Sequence, residues 1–579
     1  MDALLTGLRK AGRETLIRPV DANANVARHL RQHALERPFA AAVRTPVSVG
    51  PEGEVAHHAV GFRELDALTD AAARVFRAAG IGPGTRTLLA LRPGAQLITG
   101  FYGLLKAGAV PVLIDPGMGA RSALRCVGRT QPRALVGTTK ATLLSRLPLS
   151  ELSSLATRVS VGTRAWERSV EGARSSKPEG CHPARPDDLA AILFTSGSTG
   201  SPKGVLYTHG MLEAQLGLIR STFGMGVGDI DLPLLPAFSA FNPALGVTTV
   251  SPWLDAAEPG KCDPRPLLEA IRGEKVTTSF GSPTLWDRIS REAEARRLTL
   301  PSLRLILTAG APVPPGLVAR LARVAPNATV HTPYGATECL PVSTITGREI
   351  LGETGDEARR GRGTCVGRPV AGVEILVVRE QEGPLDNLGE AAPCPPGEVG
   401  EVLATGPTVT REYDRLPEAT RLAKCADGAG RTWHRMGDLG ALDARGRLWF
   451  HGRRVEALST AQGRLTTESV EPAFADHPSV ARCALVGIGP AGRQEPALVV
   501  EPRTLPRPGV EARNLAAELR HHAAANPLTL RVRWVVFQGS LPVDARHNAK
   551  VHRLKLAAHW SARAPLREGD VDARGRWPR

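Results

Sequence analysis

The sequence predicts an α/β protein: a large N-terminal domain of α/β subdomains plus a β module, and a smaller α+β C-terminal domain. Three observations carry this. The chain has 579 residues, more than one hydrophobic core usually spans. Apolar runs of strand length alternate with amphipathic helical patterns through residues 21–180, as in parallel sheets crossed by helices. The pattern then changes twice. Residues 345–430 are rich in glycine, proline and short β-like runs, and a new compact unit starts near Arg453.

The elements follow in order. Residues 25–35 read as a helix. Residues 65–79 hold apolar positions at helical spacing and stop at Gly80, a residue that ends helices. Residues 87–91 form a buried-strand run, followed by a helix through Leu105 and a second strand at 110–114. Strand runs resume at 190–195, 277–281, 303–308 and 328–331. Residues 373–378 and 400–404 supply the β module; 480–487, 497–501 and 532–537 supply the second unit. The uncharged stretch 232–254 is long enough to span a bilayer, but Pro233, Pro236, Pro243, Pro252 and Asn242 argue against a membrane helix. It reads instead as a looping wall of an apolar pocket, with 280–285 as a second wall. The expected divisions are an N-terminal extension at 1–20, a large domain at 21–452, a small domain at 453–562 and a loose basic tail at 563–579.

The formal charge is +16, with 42% hydrophobic, 22% charged and only 4% aromatic residues. The basic residues are scattered rather than interleaved with aromatics, which excludes a nucleic-acid partner and favours small anionic substrates. Only ten of the 73 Lys+Arg residues are lysine, so a lysine inside a motif suggests a site that wants a compact ammonium. Eight cysteines without a C-x-x-C pair or metal-ligand spacing read as reduced thiols of a cytoplasmic protein. The first 20 residues have charges throughout and no apolar core, so no secretory signal is expected.

Five motifs carry chemistry. Thr195, Ser196, Gly197, Ser198, Thr199, Gly200, Ser201, Pro202, Lys203 and Gly204 follow an apolar run at 189–194. Glycine turns backbone N–H groups toward a ligand, hydroxyls donate, and Lys203 adds a point charge, a combination that suits a polyphosphate. The spacing is not that of a Walker A loop; the plain alternative is a surface turn. Thr332, Pro333, Tyr334, Gly335, Ala336, Thr337 and Glu338 put an aromatic, a glycine, a hydroxyl and a carboxylate together: Tyr334 to stack on a purine, Thr337 to donate to phosphate, Glu338 to hold Mg²⁺. The alternative is a strand-exit turn with an exposed Glu. Met436, Gly437, Asp438, Leu439 and Gly440 precede Gly452 and Arg453; a carboxylate is the usual reader of ribose hydroxyls, and the alternative is a hairpin turn. Thr308 to Pro312 includes Gly310, Ala311 and Pro312. Leu541, Pro542, Val543 and Asp544 lead to Lys550, for which the plain alternative is a solvated basic residue.

In order and type, these motifs resemble the acyl-adenylate-forming superfamily of AMP-dependent synthetases and ligases, over nearly the whole chain. The resemblance implies ATP and Mg²⁺ as cofactors and a mobile small domain hinged at Arg453. It also implies Gly310, Ala311 and Pro312 beside the adenine and Asp438 on the ribose. Lys203 would shield the departing pyrophosphate, and Lys550 would bridge the substrate carboxylate and the α-phosphate.

Most of the superfamily passes the acyl group to a thiol through a tunnel lined by G-R-x-K-D/E and G-x-R-I-x-P segments. Here Val455 replaces the lysine and Thr467 the proline, and Phe238 is followed by Ser239 rather than His. Residues 332–342, 465–471 and 542–550 look instead like the β-lactone synthetases of the olefin pathway. That resemblance implies ATP-dependent activation of a lipid-like 2-alkyl-3-hydroxy acid, followed by ring closure by its own hydroxyl. It also implies association with other enzymes of the same pathway. A fatty-acyl-CoA or acyl-carrier ligase is the alternative, and a degenerate, non-catalytic adenylate-fold protein a second.

Overall fold

The computed structural model describes residues 23–174, 180–195, 202–255, 258–544 and 550–574. The expected extension at 1–20 lies outside them, as do Ser196, Gly197, Ser198, Thr199 and Gly200 of the glycine-rich loop.

The first α/β subdomain is a six-stranded sheet in the order Thr157–Val161, Ala134–Thr138, Arg86–Ala90, Val110–Leu113, Leu189–Thr195, Lys203–Thr208. All pairs are parallel except the last, an antiparallel hairpin that sets Thr195 opposite Lys203. Helix Phe62–Ala78 covers it because Leu65, Ala72 and Phe76 recur at helical spacing and are buried.

The second sheet has fourteen strands. Its parallel portion includes Thr278–Gly281, Leu305–Thr308 and Thr329–Ala336. Helix Pro283–Ala295 packs there through Leu285, Trp286 and Ile289, all buried; cutting the fully buried Trp286 to alanine would cost about 3–5 kcal/mol. The β module is not a separate layer. Strand Thr329–Ala336 turns back into Cys339–Thr346, which pairs with Thr364–Pro369, and the antiparallel strands Leu448–Arg453, Thr432–Leu442, Gly400–Thr405 and Glu374–Val378 continue the same sheet. Residues 347–362, expected within the β-rich region, are mostly helical. A capping box of Thr346 and Glu349 starts that turn and satisfies its first N–H groups.

The small unit holds a four-stranded sheet, Val480–Ile488, Glu495–Pro502, Trp534–Gln538 and Val571–Asp572, covered by helices Val510–His522 and Arg553–Ser561. The last strand corrects an expectation. Residues after Ala562 do not run on directly as a loose tail. Leu566 is buried, Val571–Asp572 pairs with Trp534–Gln538, and the Asp572 carboxylate accepts from His559 at 2.6 Å and pairs with Arg563 at 2.9 Å. An open strand edge and this ionic anchor offset the cost of ordering the segment.

The two units meet at the segment the sequence singled out as altered. Gly452 (φ +109°) is required there, since a Cβ would stand 2.2 Å from Thr467 Oγ1. Glu468, buried, accepts from the Thr364 hydroxyl of the large sheet at 2.6 Å. Beside it Arg553 grips Glu471 with two hydrogen bonds, 3.0 and 2.7 Å, and Glu456 with a third at 3.0 Å. Among the described residues, no helix is long and apolar enough to cross a membrane.

Candidate active site

The site lies where the C-terminal ends of parallel strands meet the antiparallel extension, the usual place for ligands in open α/β sheets. Thr329–Ala336 and Cys339–Thr346 form a hairpin with Thr337 and Glu338 at its tip, between paired Ala336 and Cys339. Gly335 allows the tight return: a Cβ there would meet the Cys339 carbonyl oxygen at 2.6 Å. Tyr207 donates its hydroxyl to the Thr337 carbonyl, tying the tip to the six-stranded sheet. Gly310 and Ala311 (half-buried) and Pro312 (exposed) leave strand Leu305–Thr308, the neighbour of the Tyr334 strand.

Asp438 is not in a hairpin turn. It sits within strand Thr432–Leu442, directly opposite Arg453 on Leu448–Arg453. The preceding Gly437 (φ +68°) takes a backbone form that side chains rarely adopt, which aims Asp438 inward. Asp438 Oδ2 accepts from the Tyr334 hydroxyl at 2.5 Å, and Oδ1 faces Arg453 Nη1 at 2.9 Å. Arg453 also donates to the Met436 carbonyl at 3.0 Å. Burial raises the Asp438 pKa above the ordinary carboxylate value, while Arg453, the Tyr334 hydrogen bond and the charge of Lys550 pull it back. Burial and the Asp438 charge raise the Tyr334 phenol well above its usual range. A carboxylate gripped from two sides and still carrying acceptor capacity suits a pair of sugar hydroxyls.

Lys550, an exposed residue of the small unit, contributes only its charge to this balance. Lys550 pairs with Asp544 in the small unit: its N–H donates to Asp544 Oδ1, and its carbonyl accepts from the Asp544 N–H, both at 2.9 Å. Val543 and Val551 bridge beside it.

The second half of the site surrounds Glu338. Its Oε1 accepts from the Tyr413 hydroxyl at 2.7 Å, and its carbonyl accepts from the Thr410 N–H at 2.9 Å and hydroxyl at 3.2 Å. Lys203, first residue of strand Lys203–Thr208, holds its ammonium 4.7 Å from the Tyr413 ring centroid. The hairpin is seated by the Asp414 N–H, which donates to the Gly204 carbonyl at 2.7 Å. Thr195 ends the partner strand. Among the described residues, no group of three or more His, Cys, Asp or Glu side chains could hold a metal ion. A lone carboxylate still fits Mg²⁺, which is commonly held by one or two carboxylates together with substrate phosphates and water.

Sequence reasoning missed Tyr413, Thr410, Lys424 and His434. Lys424 lies opposite His434 on a short strand, Lys424–Ala426, with its ammonium 3.2 Å from Thr410 Oγ1 and 6.0 Å from the Tyr413 ring. Burial lowers its pKa to about 8, against the pull of Glu338. His434 is held well below its usual pKa by burial, then by Lys424, Lys203 and Arg453. A signal was present: the chain has four tyrosines, and three of them, Tyr207, Tyr334 and Tyr413, meet here.

The expected acid pocket walls also meet. Phe238 stands edge-on to Phe280 with centroids 4.4 Å apart, and the Leu234 side chain would come within 2.7 Å of a Cβ on Gly281. Both segments are apolar and lie beside the strand-exit loops.

Known proteins place this arrangement. The AMP-binding enzyme family matches residues 30–414. The olefin beta-lactone synthetase of Xanthomonas campestris pv. campestris is 43% identical over 556 residues, covering 93% of this chain and 97% of that protein. The protein of the same name from Stenotrophomonas maltophilia is 43% identical over 550 residues, covering 93% and 98%. A long-chain-fatty-acid–CoA ligase of Thermus thermophilus is 27% identical over 435 residues, covering 74% and 78%. Among solved structures, the anthranilate CoA ligase AuaEII with anthranoyl-AMP shares the fold at TM-score 0.76 and 21% identity, covering 94% of this chain and 99% of that one. The o-succinylbenzoate coenzyme A synthetase of Bacillus subtilis, solved with ATP and a magnesium ion, does so at 0.71 and 21%, covering 91% and 98%.

Proposed function

This chain belongs to the AMP-binding enzyme family, and we propose that it activates a lipid-like 2-alkyl-3-hydroxy acid with ATP and closes it to a β-lactone. One observation carries the chemistry: Asp438, buried between the Tyr334 hydroxyl at 2.5 Å and Arg453 at 2.9 Å, keeps acceptor capacity for a pair of sugar hydroxyls. That carboxylate supports nucleotide binding, and with it the first half-reaction, in which a carboxylate and a phosphate, both anionic, must be brought together.

In this reading Asp438 accepts the ribose hydroxyls, and Tyr334, Gly310, Ala311 and Pro312 border the base. Glu338 holds Mg²⁺, which neutralises polyphosphate charge. Lys203 faces the departing pyrophosphate, with Thr195, Ser196, Gly197, Ser198, Thr199, Gly200, Gly335 and Thr337 along the phosphates. Lys550 holds the acid's carboxylate against the α-phosphate. A carboxylate oxygen bonds to the α-phosphorus as its bond to pyrophosphate breaks. The acid's 3-hydroxyl oxygen then bonds to the acyl carbon, the acyl–phosphate bond breaks, AMP leaves, and the hydroxyl proton passes to AMP or solvent. An internal nucleophile works at high effective molarity and needs no thiol tunnel, in keeping with Val455 and Thr467 where thiol-transferring relatives carry lysine and proline. A cytoplasmic location, supported by eight free cysteines, is part of this reading.

The test is direct. Purified protein with ATP, Mg²⁺ and a 2-alkyl-3-hydroxy acid yields AMP, pyrophosphate and a product lighter than the acid by one water. A thioester formed only with CoA, and no lactone, would replace this reading with that of an acyl-CoA ligase.

A further inference from the structure

Lys424 is a buried lysine that the reaction just described leaves unused. It is 8% exposed, and its ammonium has the Thr410 hydroxyl as hydrogen-bond partner at 3.2 Å. It faces the Tyr413 ring at 6.0 Å, and Lys203 faces the same ring at 4.7 Å. The Tyr413 hydroxyl is already committed to Glu338 at 2.7 Å. Among the described residues neither lysine forms an ion pair, whereas Arg453 is paired with Asp438. Two ammonium groups therefore converge on one tyrosine, whose hydroxyl is bonded to one carboxylate. His434, opposite Lys424, is buried beside the same cations. A buried ammonium with a hydroxyl and a ring for company is costly unless an anion completes its surroundings. A compact ammonium is also what a phosphate takes as a point charge, and 63 of the chain's 73 basic residues are arginine instead.

We propose that Lys424 is a second polyphosphate-binding lysine, which with Lys203 neutralises the pyrophosphate portion of a nucleoside triphosphate beside Tyr413. This rests on the reading of Lys203 and Glu338 as the triphosphate site, and adds to it a charge from the short strand Lys424–Ala426. Thr410 orients the ammonium and at the same time fixes the Glu338 turn through its own N–H and hydroxyl.

The experiment compares ATP with AMP, because only ATP carries the portion in question. Dissociation constants for both are measured by isothermal titration on the full chain, on Lys424→Met and Lys424→Gln, and on Lys203→Met as a benchmark. Each Lys424 variant weakens ATP binding about tenfold, the loss of one charged hydrogen-bonding partner, and leaves AMP within about twofold. Inhibition of ATP binding by free pyrophosphate weakens in parallel. AMP affinity serves as the check on folding of the site in both variants. Equal weakening of ATP and AMP would assign Lys424 a purely structural role and overturn the proposal, as would ATP affinity unchanged from wild type. If Lys203→Met leaves ATP binding intact, the triphosphate site itself is misassigned, an outcome separate from either of those.

Discussion

The molecule holds two charge clusters of opposite imbalance, and they resolve it differently. At the proposed nucleotide site Lys203 and Lys424 crowd Glu338 and Tyr413, while Lys550 adds its charge to the Asp438–Arg453 pair. At the domain junction Arg553 faces three carboxylates, Glu456, Glu471 and Glu468. The junction can reduce its own imbalance. Burial, with Glu471 nearby, pushes Glu468 well above the ordinary carboxylate range, so a proton removes one charge and leaves Arg553 between two acids. A surplus of ammonium and guanidinium groups has no such escape near neutral pH, apart from partial deprotonation of Lys424, and calls for an anionic ligand. The sign of the imbalance therefore separates a binding site from an interdomain clamp where burial alone does not.

The comparison breaks first at its strongest points. Lys550→Ala should reduce acid-dependent exchange of labelled pyrophosphate into ATP about a thousandfold, while ATP binding stays nearly intact, because the charge it removes is needed most where the two anions meet. Exchange at the wild-type rate would remove Lys550 from the chemistry. Arg553→Met attacks the other cluster. It strips the partner from Glu471 and Glu456 and should lower stability by about 3–5 kcal/mol in denaturant unfolding. A loss below about 1 kcal/mol would show that the junction does not depend on this clamp.

The nucleotide half was legible in the sequence because its chemistry is local. Tyr334, Gly335, Thr337 and Glu338 fall within five residues and fold into one hairpin tip, and Gly437 precedes Asp438 by one. What the sequence left out is brought in by sheet pairing. Lys424 reaches Glu338 only because its three-residue strand pairs with Thr432–Leu442, and Tyr413 only because residues 413 and 414 bond the Lys203 hairpin. The strands themselves were visible as apolar runs; the join of the β module to the parallel sheet was not, since it rests on two residue pairs, Ser343 with Pro369 and Thr344 with Arg368. The junction was visible only as departures at Val455 and Thr467. That Thr467 abuts Gly452, and that Glu468 bonds Thr364 across the domains, required coordinates.

Glu468→Gln tests the proton side of the comparison, with the smallest expected effect. A folded-state pKa raised above the unfolded value means that the folded protein binds the proton more tightly. The stability this contributes is complete below the unfolded value and is lost as pH rises through the folded one. Wild-type stability should therefore fall between about pH 5 and pH 8, by on the order of 2 kcal/mol from this group. Glutamine is neutral throughout and its Oε1 can still accept from the Thr364 hydroxyl. The variant should lose that slope, match wild type near pH 5 and exceed it at pH 8. Thr364→Val separates the hydrogen bond from the charge: it removes a donor that lowers the Glu468 pKa and should steepen the wild-type slope. Parallel stability profiles for wild type and Glu468→Gln would mean that the junction carries its acid charge at neutral pH, and that both clusters rely on fixed charge after all.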